Sequence, residues 1–165
     1  MSHISCEEVL PFLEPGWVGI EIGVAQGWSS EAFIKHGIRF MYLIDPWWGD
    51  QGDTGDWDGS WNYFNFRKRM APYSDKYATF RMPSAEAERF VPMVDFVFVD
   101  GNHAYEYVKS DLEFYWPKIK PGGILCGHDY TNNDTCQVAR AVDEFAARHS
   151  RRVEVAAPCW VIYKE

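Results

Sequence analysis

The sequence predicts an α/β fold, a doubly wound sheet of mostly parallel strands with helices on both faces, and three observations carry that reading. Apolar runs of strand length at 40–44, 96–99 and 124–126 lack the alternation of a half-exposed strand, as expected where both faces are covered. Between two of these runs Tyr105, Val108, Leu112, Tyr115 and Trp116 recur at helical spacing, with Glu106, Lys109, Asp111 and Glu113 interleaved. The stretch from Gly19 to Ser30 passes from a strand through a glycine turn into a helix, a junction that faces the ligand edge of open α/β sheets.

Taken in order, residues 6–13 read as a short helix ended near Pro15-Gly16, followed by the first strand at 19–22. A helix over 30–36 stops at Gly37, and the second strand, 40–44, ends at Asp45 before Pro46. Residues 77–81 form a third strand candidate and 86–90 a short helix. Strand 96–99, the helix of 105–116 and strand 124–126 make a strand-helix-strand crossover. The last helix, 135–148, turns Val138, Val142, Phe145 and Ala146 inward, and two short strands at 153–156 and 160–163 close the sheet.

A chain of 165 residues with 47% hydrophobic content suffices for one domain, here 1–165, and leaves little for a second. The net charge of −8 and pI near 5.1 argue against nucleic acid as a partner, since phosphates need a basic stripe and the only short one is Arg67-Lys68-Arg69. Cys6, Cys126, Cys136 and Cys159 show no C-x-x-C spacing and read as reduced, buried thiols. No apolar run approaches about 20 residues and no secretory signal pattern opens the chain, so the expectation is a cytoplasmic protein with no membrane partner.

Residues 46–73 stand apart as an aromatic and acidic insertion, with Trp47, Trp48, Trp57, Trp61, Tyr63, Phe64 and Phe66 among Asp50, Asp53, Asp56 and Asp58. Connections of this length are commonly functional, so the segment reads as a lid over a flat or sugar-like substrate. The alternative is a helix on which Trp61, Phe64 and Tyr63 pack as core; the two readings can hold for different halves.

In the glycine turn, Gly23 and Gly27 allow close backbone approach to a ligand, and the next helix offers its free N–H groups. A dinucleotide fingerprint wants G-x-G-x-x-G, but Ala25 holds the middle position and Trp28 the last. Glu21 disfavours a pyrophosphate and attracts an ammonium or sulfonium, which suits S-adenosylmethionine. Asp45, about 20 residues past the turn, is placed to hold a ribose diol. The competing readings are a turn that binds nothing and an aspartate that caps or turns the chain before Pro46.

If strands 96–99 and 124–126 are neighbours, Asp100 and the pair His128-Asp129 emerge side by side at the carboxyl edge, together with Asp45, His103 and the glycine turn. Taken singly, His103 could cap a helix, His128 could partner Asp129, and Asp100 could close the turn at Gly101. The string VDFVFVDGNHAYEYVKSDLEFYWPKIKPGGILCGHDY, with its D-G-x-H-x-Y turn and later P-G-G…H-D, resembles class I S-adenosylmethionine-dependent methyltransferases, in particular the small-molecule O-methyltransferase group. The resemblance covers most of 17–163 and implies a Rossmann-like sheet whose C-terminal strands pair antiparallel.

The resemblance further implies that Glu21, Gly23 and Gly27 hold the methionine end of the cofactor and Ser29 its carboxylate. Asp45 would hold the ribose, Ser84 and Ala85 would lie along the adenine, and Trp47 would cover its other face. Asp100 joins this cofactor set. In related metal-dependent enzymes the positions of Asp100, His128 and Asp129 hold a divalent ion that lowers the pKa of a substrate hydroxyl. His128 departs from the usual carboxylate or amide there and shifts the preference from magnesium toward manganese, iron or zinc. The other device for removing the acceptor's proton is His103 acting as general base, with Asp100 and Asp129 orienting metal or substrate.

The expected activity is methyl transfer from S-adenosylmethionine to a hydroxyl of a small molecule of sugar or natural-product type. Two alternatives stay open at this level: a catalytically idle binder of S-adenosylmethionine or S-adenosylhomocysteine, and a nicotinamide-dependent oxidoreductase. The missing third glycine and the lack of a Tyr-x-x-x-Lys pair count against the last. Little chain precedes the first strand to cover the substrate, so residues 46–73 or a neighbouring copy would supply that wall, which favours a homo-oligomer.

Overall fold

In a computed structural model of the protein, residues 6–48 and 59–165 are described. Seven strands form one sheet: β1 (Val18–Ile22), β2 (Phe40–Ile44), β3 (Tyr77–Phe80), β4 (Val94–Val99), β5 (Ile119–Gly127), β6 (Glu154–Ala156) and β7 (Cys159–Tyr163). Their spatial order is β3-β2-β1-β4-β5-β7-β6. The first five strands run parallel, whereas β7 is antiparallel to β5 and β6 antiparallel to β7, as the sequence predicts. The order reverses between β1 and β4, which makes the crevice beyond their carboxyl ends the switch point at which ligands bind in such sheets.

Register brings the rim residues together. Ile22 pairs with Ile44 on one side and Val99 on the other, and Val99 pairs with Gly127. The next residues, Gly23, Asp45, Asp100 and His128, therefore leave four adjacent strands at the same level. The period-2 alternation of strand side chains assigns the two faces. Val97, Val99 and Leu125 meet the helices α4 (Tyr105–Tyr115) and α5 (Val138–Arg148), whereas Phe96, Phe98 and Cys126 meet α1 (Trp28–His36) and its surroundings. Phe33 of α1 lies edge-on to Phe96 and Phe98 at 5.4 and 5.2 Å, and truncating any one of these rings would cost about 3–5 kcal/mol.

Several elements differ from expectation for local reasons. The N-terminal helix is only a 3₁₀ turn, Leu10–Phe12, because Pro11 lacks an N–H and restricts Leu10. The last helix starts at Val138, since the Asn133 side chain accepts the Thr135 and Cys136 N–H groups and holds 133–136 as a turn. A four-residue α3 (Ser84–Ala87) precedes the 3₁₀ turn Glu88–Phe90.

The second half of the insertion is a helix, α2 (Gly59–Met70), but its inner face is not the one anticipated. Asn62, Phe66 and Met70, spaced by four, are buried, while Trp61 and Phe64 are 57% and 66% exposed. The lid reading of the first half lies largely on 49–58, outside the described residues. Among the described residues all four cysteines are buried and none forms a disulfide, and no helix is long and apolar enough to cross a membrane.

Candidate functional site

The turn after β1 is braced from three directions. Gly23 has φ 85°, and a Cβ on it would stand 2.1 Å from the Asp100 carbonyl oxygen, so only glycine lets the β1 and β4 ends close on each other. Asp45 leans back onto the turn: Oδ2 accepts the N–H groups of Val24 and Ala25 at 2.9 Å each, and Oδ1 that of Trp47 at 2.7 Å. Burial raises the Asp45 pKa although these three N–H groups oppose the shift. The third brace is α2, whose Asn62 accepts from the Gln26 amide at 3.1 Å and whose Arg69 donates to the Gln26 carbonyl. A Cβ on Gly27 would meet the Phe66 ring of α2 at 2.9 Å, so this glycine makes room for the helix beneath the turn.

Three predicted cofactor positions are differently engaged in this structure. Glu21 is fully buried; its two carboxylate oxygens accept the hydroxyls of Ser29 and Ser30, and burial pushes its pKa up to about 8. The Ser29 hydroxyl is thereby turned inward to Glu21, away from the role of carboxylate ligand that the sequence suggests for it. Trp47 is 3% exposed: its indole N–H donates to the Ala25 carbonyl at 2.7 Å and its ring packs on Tyr63 and Phe66. Stacking on an adenine would require Trp47 to leave those partners. Beside it a small cavity opens between Ala25, Asp45, Pro46 and Trp48 on one side and Gly59 and Asn62 on the other.

Ser84 and Ala85 open α3 beyond the carboxyl end of β3. The Ser84 hydroxyl donates to Asp111 of α4, and its carbonyl accepts the Tyr115 hydroxyl at 2.7 Å. Asp111 is only 5% exposed, against its sequence reading as part of the helix's polar face. The spacing 108, 111, 112, 115 is the apolar stripe of that helix, and it carries the signal that Asp111 points inward.

Beyond β4 and β5 the remaining residues converge. His103 Nε2 lies 2.9 Å from Asp129 Oδ2, and His128 Nδ1 lies 3.0 Å from the same oxygen and 3.8 Å from Asp100 Oδ1. Asp129 adopts a left-handed φ of 55°, which aspartate tolerates better than most residues. Hydrogen bonds from His103 and His128 hold the Asp129 carboxyl well below the usual carboxylate range. Burial lowers the His128 pKa, but the Asp129 hydrogen bond and the Asp100 charge outweigh it and raise the pKa overall. Asp100, His103 and Asp129 each offer a ligand atom, all within 4.8 Å of one another. An imidazole with two carboxylates suits manganese, iron or zinc better than magnesium. His103 completes this group, and His128, which the sequence reading places with the two carboxylates, also faces both of them, Asp129 at 3.0 Å and Asp100 at 3.8 Å.

Comparison with known proteins is consistent with this architecture. Residues 20–130, more than half of the chain, match the family described as Methyltransferase domain. The uncharacterized protein y4gI of Sinorhizobium fredii (strain NBRC 101917 / NGR234) is 27% identical over 123 residues, 67% of this chain; the chain spans 13% of that relative's length. Among solved structures, precorrin-6y C5,15-methyltransferase from Geobacter metallireducens GS-15 superposes with TM-score 0.71 at 16% identity, over 96% of this chain and 84% of its own. The O-methyltransferase NovP gives 0.67 at 19%, over 97% and 76%. The S-adenosylhomocysteine-bound methyltransferase PaMTH1 of Podospora anserina gives 0.61 at 16%, over 90% and 71%. At these identities the structural likeness speaks for the fold, and the sequence match over 20–130 speaks for the family. With that match laid on a 3-2-1-4-5-7-6 sheet whose glycine turn and polar rim share one edge, the chain belongs to the methyltransferase domain family.

Proposed function

We propose that the protein transfers a methyl group from S-adenosylmethionine to a hydroxyl oxygen of a small molecule. The observation that carries this reading is the approach of His103 to Asp129 at 2.9 Å, beside Asp100, on the rim shared with the glycine turn. The reaction moves the methyl carbon from sulfonium to oxygen, releases neutral S-adenosylhomocysteine, and requires the hydroxyl proton to leave. His103 is the group for that proton. With Nε2–H donating to Asp129, the basic nitrogen of the ring is Nδ1, and the carboxylate stabilises the imidazolium that forms. In-line placement of acceptor and sulfonium is the other demand, and the rigid β1 and β4 ends supply it.

Asp100, His103 and Asp129 fit a divalent ion by donor type and spacing. Such an ion, when bound, would polarise the acceptor oxygen and lower its pKa. His103 would then serve as a ligand, so the two readings differ in how EDTA acts.

The test is calorimetric titration with S-adenosylmethionine, S-adenosylhomocysteine and NADH, with and without EDTA and Mn²⁺, followed by a hydroxyl-acceptor panel read by S-adenosylhomocysteine release. Micromolar binding of the adenosyl ligands and release with a hydroxylated acceptor are expected. Adenosyl binding without turnover on any acceptor would favour the idle-binder reading, and binding of NADH alone would favour the oxidoreductase.

A further inference from the structure

We propose that Asp111 is a positioning residue for the nucleoside end of the cofactor, acting through Ser84; this rests on the reading of the rim as an S-adenosylmethionine site. The sheet order puts the ligand crevice between the ends of β1 and β4. Asp111 reaches from α4, the helix that follows β4, to the segment that follows β3, where one of its carboxylate oxygens takes the Ser84 hydroxyl.

The same α4 face holds Ser84 a second time, one turn later, through the Tyr115 hydroxyl on the Ser84 carbonyl. Residue 84 is thus fixed by side chain and backbone from a rigid helix, although α3 itself has only four residues and little stability of its own. A buried carboxyl costs stability in an apolar helix stripe, so its presence at 5% exposure calls for a role that a leucine would not fill. Burial pushes the Asp111 pKa up to about 7, so an amide is a close mimic of its neutral form.

The experiment measures S-adenosylhomocysteine and 5′-methylthioadenosine affinity, directly or by displacement, for wild type, Asp111→Ala, Asp111→Asn and Ser84→Ala, with thermal melts alongside. Methylthioadenosine carries the nucleoside but lacks the amino-acid end. The expected result is a loss of about tenfold or more for both ligands in Asp111→Ala, a similar loss in Ser84→Ala, and recovery to within about threefold in Asp111→Asn, whose side-chain oxygen still accepts the Ser84 hydroxyl. Should Asp111→Ala fail to fold, Ser84→Ala and Asp111→Asn carry the test. Unchanged affinity in Ser84→Ala, or a loss confined to S-adenosylhomocysteine, would overturn the proposal while leaving the cofactor reading intact. Absence of adenosyl binding to wild type would instead remove the cofactor reading, and this proposal with it.

Discussion

His103 and Asp129 leave the ends of two neighbouring parallel strands and meet at 2.9 Å, with Asp129 Oδ2 shared by His128 at 3.0 Å. An oxygen bridging two imidazoles orients both, and His103 offers a ligand atom within 4.8 Å of those of Asp100 and Asp129. Replacement of His103 by Ala is therefore expected to lower turnover by about 10²–10⁴-fold while S-adenosylhomocysteine affinity stays within about threefold. Single-turnover kinetics beside calorimetry separates the two quantities. Retained turnover would exclude His103 as base and as ligand alike.

Gly23→Ala tests the closure of the β1 and β4 ends. The new Cβ would sit 2.1 Å from a backbone oxygen, in a residue at φ 85°, and backbone cannot swing aside as a flexible side chain does. Left-handed strain and overpacking together should cost about 3 kcal/mol or more. Urea denaturation is the measurement; a midpoint equal to that of wild type would mean that the β1 and β4 ends can part to admit a methyl group.

Asp45 offers a sharper distinction, because its carboxylate already accepts three backbone N–H groups. If it also serves a ribose, Asp45→Asn should weaken cofactor binding by more than its modest effect on stability suggests. Asp45→Ala should cost about 2–4 kcal/mol through the N–H groups left unsatisfied. Parallel calorimetry and melts on both variants separate bracing from binding: equal affinity in Asn and wild type would assign Asp45 to the turn alone.

Most of the sheet was legible from sequence because parallel strands covered on both faces leave unbroken apolar runs, as at Phe96–Val99, and because each run ended at a residue of distinct chemistry. The rim was legible for the same reason: Gly23, Asp45 and Asp100 each follow directly on a strand stretch, and His128 follows one a single glycine later. What lay hidden was direction. Strand and helix patterns locate a residue but do not say which partner a polar side chain takes, so Glu21 and Ser29 read as ligands while they face each other in the fold. The resemblance sets Trp47 over the adenine, whereas in the fold the docking of Phe66 and Tyr63 from α2 buries it. Asp111 is hidden for the opposite reason: its charge masks its place in the buried stripe.

Glu21 ties this hidden chemistry to a pH dependence. Its pKa in the fold is about 8, raised by burial from an ordinary 4.5, with the Ser29 and Ser30 hydroxyls opposing the shift. The folded state thus holds a proton that the unfolded chain releases, so the stability this group contributes is fully present below about pH 4.5 and is lost as pH rises toward about 8. Glu21→Gln keeps the shape and can pair with both serines, one by accepting and one by donating, but has no proton to lose. The variant is expected to show a flatter stability profile across that window and to exceed wild type at its alkaline end. Urea midpoints across that window, taken without ligand, read the difference directly. Parallel profiles for the two proteins would mean that Glu21 ionises in the fold at an ordinary pH and that water reaches the carboxyl beneath the glycine turn.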